Sequence, residues 1–139
     1  MSDSLPITAA RTSSVRTTRV ALIALWIVQV LLAAMFLLSG GSKLAGAAPM
    51  VALFDAIGVG QWFRYVTGGI EVVSAVALLV PALAPFGAMA LAATMVGAVT
   101  THLFVVGGSP AVPIALLLGA LAVAWARRGQ LARALPRPR

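Results

Sequence analysis

One acidic residue lies inside the apolar part of this sequence, and its surroundings make it the first candidate for chemistry. Glu71 stands within Trp62–Val80, which is strongly apolar on both sides of it. A charged side chain near the centre of a bilayer costs about 2.5–3.5 kcal/mol on insertion scales, so such a residue is a candidate functional group. Glu71 could handle a proton, or it could stay protonated and only hydrogen-bond a neighbouring helix.

Basic and hydroxyl side chains gather toward one end of the predicted helices. These residues are Lys43, Arg64, Thr67, Thr101 and His102. Steps of three and four residues place Arg64 and Glu71 on one helical stripe, and Lys43 ends a similar stripe on the preceding apolar segment. The two stripes predict a polar pocket that opens at this end, with Glu71 at its floor. The alternative is that the two cations are interfacial anchors and that His102 faces lipid headgroups.

Two further polar side chains are predicted at the depth of Glu71. Counting at 1.5 Å per residue from the segment ends puts Gln29, Glu71 and Thr94 about 13 Å from the same boundary. We therefore expect Gln29 and Thr94 to hydrogen-bond Glu71 between helices, although each could also serve a purely structural bond. A lone protonated carboxyl of this kind adds little stability, so Glu71→Leu is predicted to leave the fold intact or more stable while abolishing function.

The composition indicates that water is not the main solvent of this chain. Of 139 residues, 61% are hydrophobic and 9% are charged, whereas soluble domains carry about 25% charged residues. Four segments have the length and apolar character of membrane-spanning helices. They are Val20–Ser39, Trp62–Val80, Phe86–Val106 and Ala111–Ala126. We expect the glycine pair at 40–41 to end the first segment, and a short interfacial helix to cover Met50–Ile57 before Gly58.

Short links between the segments favour an all-α, antiparallel four-helix bundle embedded in the membrane. Arginines flank it: three precede the first segment and five follow the last. By the positive-inside rule both termini are then cytoplasmic. The predicted organisation is a disordered basic tail (1–18), a transmembrane domain (19–128) and a second basic cytoplasmic tail (129–139). The net charge of +7 suits anionic lipid, and no soluble module exists that would read nucleic acid.

The residue inventory restricts redox chemistry. There is no Cys, and His102 is the only His. Disulfides, iron–sulfur ligation, paired His ligation of haem and a three-His zinc site are therefore excluded within one protomer. We expect no metal and no intrinsic cofactor. Any electrons must reside on a bound organic carrier, such as a quinone, or on a partner protein.

Several motifs taken together resemble the DoxX family. Phe36–Lys43 is similar to its FxxxGxxK element, Gly68–Glu71 to its GxxE element, and Gly97–His102 to its GAxxTH ending. The resemblance covers about 25–128 and implies a bacterial four-helix inner-membrane protein. It also implies that Lys43, Glu71 and His102 are the family's recurrent polar residues. Some relatives are linked to quinone-dependent sulfur oxidation and others to membrane-associated oxidative-stress assemblies.

These observations lead to three functional hypotheses. The first is a membrane subunit of an oxidoreductase assembly that holds a quinone or similar lipid-soluble ligand, served by a soluble or membrane redox partner. The second is a non-enzymatic scaffold or assembly partner. The third is a small transporter or proton path, which four short helices with one buried acid favour least. Whether the chain is itself an enzyme, and whether it forms homo-oligomers, stays open.

Overall fold

The computed structural model describes residues 7–134, which are helical apart from short connections. No strand occurs in this range. The elements are α1 (Ile7–Leu44), α2 (Ala48–Ile57), α3 (Gln61–Leu79), α4 (Ala84–Thr101), a π-helical continuation of α4 (His102–Val106), α5 (Ala111–Ala126) and α6 (Arg128–Ala134). The prediction of an all-α protein is confirmed. The short helix before Gly58 and the helix at Ala111–Ala126 also form where the sequence predicts them.

The first helix is longer than predicted at both ends. It begins at Ile7, so positions 7–18 are helical where the sequence predicts disorder, while residues 1–6 lie outside the described range. Extending an existing helix requires no new nucleation, which explains how a polar segment can continue it. The glycine pair at 40–41 does not end α1 either. The chain turns after Leu44, and Gly46 adopts the left-handed conformation there (φ 71°).

Three stretches are long and apolar enough to cross a membrane: Thr18–Leu44, Gln61–Leu79 and Ala84–Val106. The fourth predicted segment, α5, is apolar but has only 16 residues, so by length and composition three spans are identified rather than four. Large hydrophobic side chains are exposed on these helices, such as Leu38 (70%) and Val73 (69%). Such a surface suits contact with lipid and indicates a membrane protein.

Neighbouring helices pack together and approach closely through glycines. α1 packs on α3, α3 on α4, α4 on α5, and α5 also contacts α1. A Cβ atom on Gly40 would lie 2.8 Å from the carbonyl oxygen of Gly68, and one on Gly87 would lie 2.6 Å from that of Ser74. These contacts bring backbones together around a small apolar core that includes Phe36. The core leaves two groups of buried polar residues, one at each end of the helices.

Candidate functional site

The crossing of α1 and α3 determines where the charged side chains meet. Gly40 lies one turn before Lys43, and a Cβ atom added to Gly68 would lie 2.9 Å from the Cβ atom of Lys43. Side chains on an α-helix at steps of three and four residues share one face. The glycine contact therefore presents Lys43 directly to the face of α3 that carries Glu71.

Lys43 and Glu71 form a buried ion pair. The Lys43 ammonium donates to both carboxylate oxygens, at 3.0 Å to Oε1 and 2.8 Å to Oε2, and to the hydroxyl of Ser39 at 2.8 Å. Its three N–H groups are thus all used. Glu71 is only 2% exposed. Breaking one side of such a pair leaves an uncompensated buried charge, which is far more costly than replacing both partners.

Arg64 lies beside this pair and caps the C-terminal end of α1. Its Nη1 donates to the backbone carbonyl of Lys43, and its Nε donates to Oε1 of Gln61 at 2.6 Å. The guanidinium carbon also stands 4.3 Å from the centre of the Tyr65 ring. Arg64 is 4% exposed, and no carboxylate among the described residues pairs with it. The last carbonyls of a helix carry partial negative charge, which favours a cation at this position.

We use the term outer cluster for Lys43, Arg64, Glu71, Ser39 and Gln61. Gln61 extends it to α2 by donating to Oδ1 of Asp55 at 2.7 Å and to the carbonyl of Val51 at 3.0 Å. The outer cluster therefore joins three helices through hydrogen bonds. It contains two cations and one carboxylate, so it carries a net positive charge.

A second buried group lies at the opposite end of the helices. Gln29 donates to the carbonyl of Leu78 at 2.6 Å and accepts from Nε and Nη2 of Arg127 at 2.9 and 2.7 Å. The guanidinium carbon of Arg127 lies 5.4 Å from the ring centre of Trp26. Gln29 and Arg127 are both buried. We call Gln29, Arg127 and Trp26 the inner cluster.

The predicted layer of Gln29, Glu71 and Thr94 is wrong. Gln29 bonds Leu78 and Arg127, Thr94 bonds the carbonyl of Leu91 at 2.8 Å within its own helix, and both oxygens of Glu71 accept from Lys43. Estimating depth by counting residues fails because Gln29 of α1 lies beside Leu78 of α3. Leu78 is seven residues, or about 10 Å, beyond Glu71 along α3. Residue counting also ignores the length of the lysine side chain, which lets the Lys43 ammonium reach the Glu71 carboxylate.

The remaining candidates bond within their own helices. Thr67 donates to the carbonyl of Phe63 at 3.0 Å, and Thr101 to that of Gly97 at 2.9 Å. His102 is half-buried, and its Nδ1 lies 2.9 Å from the carbonyl of Ala98. That acceptor requires the Nδ1–H tautomer, so Nε2 of a neutral ring is left as a hydrogen-bond acceptor. His102 also begins the π-helical segment, a distortion that is frequent at functional sites.

Sequence reasoning missed four members of the two clusters, which are Ser39, Gln61, Trp26 and Arg127. Ser39 stands four residues before Lys43 and Gln61 stands three before Arg64, so helical spacing could have identified both. The sequence places Arg127 only among the arginines that follow the last apolar segment, because an arginine at this position resembles any other positive-inside residue. No spacing in the sequence distinguishes it from Arg128, since its partner Gln29 lies 98 positions away.

The outer cluster provides hydrogen-bond donors and one carboxylate in a site shielded from water. Among the residues described, no three His, Cys, Asp or Glu side chains are grouped as a metal site would require. Such a cluster can bind an acceptor atom or exchange a proton, because low local dielectric strengthens each polar contact.

Comparison with known proteins identifies the family. No curated protein and no solved structure matches the chain. The chain does match the DoxX-like family over residues 27–125, a range that contains the outer cluster, Gln29 and His102. This match confirms the resemblance seen in the sequence motifs. The chain therefore belongs to the DoxX-like family.

Proposed function

We propose that the chain is a membrane subunit of an oxidoreductase assembly, and that its outer cluster binds a quinone or a similar lipid-soluble carrier. The observation that carries this proposal is the buried Lys43–Glu71 pair with Arg64 beside it. Ionisable side chains inside apolar helices are costly and are functional sites by default. Here three of them lie together at one end of the helices.

The proposal includes a topology. α5 packs against both α4 and α1, so a membrane that surrounds those helices would surround α5 as well. The four apolar helices then form an antiparallel bundle with both termini in the cytoplasm, as the flanking arginines favour. The outer cluster would face the opposite side of a bacterial inner membrane, where a carrier could enter from the lipid.

The chemistry of the outer cluster suits a carrier with carbonyl oxygens. A quinone carbonyl accepts hydrogen bonds, and its reduction to the hydroquinone takes up two electrons and two protons. A redox partner protein would supply the electrons. Arg64 would donate from Nη2, which makes no hydrogen bond to another described residue. Glu71 or His102 would exchange the protons, in the case of Glu71 after the carrier or water displaces Lys43.

One observation favours a second candidate function. Glu71 is nearly inaccessible, and all three N–H groups of Lys43 are already used within the protein. An ion pair that is inaccessible and fully hydrogen-bonded in this way could serve only to fix the position of α1 along α3. The chain would then be a scaffold or assembly partner, and its exposed faces would dock other proteins.

Titration with a short-chain quinone tests the proposal. The full chain in lipid nanodiscs should bind the quinone saturably, and Arg64→Gln should weaken binding about tenfold or more, the loss expected for a hydrogen bond from a charged donor. Arg127→Gln removes the other buried guanidinium at the opposite end and should leave the affinity unchanged. Absence of saturable binding, together with a stoichiometric partner protein retained on purification, would decide for the scaffold.

A further inference from the structure

The exposed face of α5 carries an apolar stripe that ends at an arginine. Its members follow one another at alternating steps of four and three residues, which keep them on one helical face. They are Ile114 (39% exposed), Leu118 (62%), Leu121 (49%) and Trp125 (68%), followed by Arg128. At 1.5 Å per residue the stripe is about 21 Å long, close to the depth of one lipid leaflet with its headgroup.

Arg128 is held in place at the end of this stripe. Its Nη1 donates to the carbonyl of Trp125 at 2.8 Å, and its guanidinium carbon lies 4.2 Å from the centre of the Trp125 ring. The side chain is nevertheless exposed, and its other N–H groups make no hydrogen bond to a described residue. A planar guanidinium that is already oriented loses little freedom when it binds a phosphate.

No acidic side chain among the described residues accompanies Arg128. Asp55 and Glu71 both belong to the opposite end of the helices, and Glu71 is already paired there. The neighbouring Arg127 is a second positive charge, with its Nε and Nη2 directed to Gln29. This end of the protein therefore offers fixed positive charge beside an apolar stripe.

We propose that the stripe from Ile114 to Arg128 binds one anionic phospholipid, with the phosphate on Arg128 and an acyl chain along α5. The apolar stripe favours a lipid over a free phosphate, because a phosphate ion has no acyl chain that could pack against it. Trp125 occupies the level at which indole rings settle between acyl chains and headgroups. This proposal presupposes that the chain is a membrane protein, and it does not depend on the carrier proposed for the outer cluster.

The experiment is native mass spectrometry of the full chain released from detergent, titrated with phosphatidylglycerol or with phosphatidylcholine of the same acyl chains. The wild type should retain one phosphatidylglycerol in preference to phosphatidylcholine. Arg128→Gln should weaken retention about tenfold, the loss expected when a hydrogen bond from a charged donor to the phosphate is removed. Arg128→Lys should restore only part of it, because an ammonium keeps the charge and loses the planar stacking.

The matched control is Arg19→Gln. Arg19 is an exposed arginine on α1, two turns before Trp26 and so at the same end, and it makes no cation–π contact with an aromatic ring of a described residue. It should leave retention unchanged. Equal losses for Arg19→Gln and Arg128→Gln would overturn the proposal in favour of diffuse attraction, and so would equal retention of the two lipids. Displacement of the lipid by millimolar inorganic phosphate would also overturn it, since the site would then recognise the anion alone.

Discussion

Gln29 and Arg127 are 98 positions apart in the chain and meet through two hydrogen bonds from the guanidinium to the Gln29 carbonyl oxygen, at 2.9 and 2.7 Å. The same Gln29 donates to the carbonyl of Leu78 in the last turn of α3. With its amide in the orientation that satisfies both neighbours, Gln130 accepts from Arg127 and donates to the carbonyl of Pro81. Arg127 thus orients two amides that satisfy backbone carbonyls at and just after the end of α3.

Arg64 satisfies a backbone carbonyl directly, because it donates to the carbonyl of Lys43 at the end of α1. Both buried arginines therefore lie where a helix presents its negative end, and neither needs a carboxylate for its principal contacts. Carbonyls at helix ends must find partners when little water reaches them. This arrangement explains why the described chain buries three cations and one acid.

Replacing Glu71 alone should destabilise the protein. Glu71→Leu leaves the Lys43 ammonium buried without its carboxylate, and we expect a loss of about 3–5 kcal/mol in the free energy of unfolding. The double variant Lys43→Met with Glu71→Leu should recover most of that loss, because it removes both charges and keeps the volume. Denaturant unfolding in detergent micelles measures both. A double variant as unstable as the single one would show that the pair is not the cause.

Gly40 and Gly41 should respond in opposite ways to alanine. A Cβ atom on Gly40 would collide with Gly68 and with Val72 at 2.8 and 2.9 Å, whereas one on Gly41 meets nothing within 4 Å. Gly40→Ala should therefore cost about 1–3 kcal/mol through overpacking. Gly41→Ala should be neutral or stabilising by up to about 1 kcal/mol, because alanine favours helix. Thermal unfolding of the two variants provides the comparison, and equal effects would contradict the close crossing of α1 and α3.

Gln29 should matter more to stability than Thr94. Gln29→Leu removes the acceptor for two N–H groups of Arg127 and the donor to Leu78, so we expect a loss of at least about 2 kcal/mol. Thr94→Val removes only a bond to its own helix and should change stability by less than about 1 kcal/mol. Unfolding in the same detergent measures both variants. If Thr94→Val were the more damaging, the inner cluster would not have the structural role assigned to it.

The proposed topology predicts that both ends of the chain lie in the cytoplasm. A reporter active only in the cytoplasm should work when fused to either terminus, because the flanking arginines resist translocation. A periplasm-only reporter inserted at Gly108, in the turn before α5, should be active as well. Activity at only one terminus would mean that an odd number of helices crosses the membrane, and α5 would then be the first helix to reconsider.

The sequence by itself determined three things: that the apolar helices lie in a membrane rather than in water, where the helices form, and which family the chain belongs to. Apolar runs of about 20 residues leave few alternatives to membrane helices, and the local signal of Gly58 placed the end of α2. Motif spacing singled out Lys43, Glu71 and His102, and periodicity placed Arg64 on the same face of α3 as Glu71. These features are local, because they depend on residues a few positions apart.

Only the tertiary structure decided which polar groups pair. Gln29 was expected beside Glu71 and bonds Arg127, while Glu71 is neutralised by Lys43, which reverses the expected effect of Glu71→Leu on stability. Depth estimated by counting cannot reveal the offset between two packed helices, and that offset is set by the contact between Gly40 and Gly68. Nor can it reveal the reach of a lysine or arginine side chain, which spans about a full turn of helix. The partners of buried charges are fixed by these distances, and the distances exist only once the helices have packed.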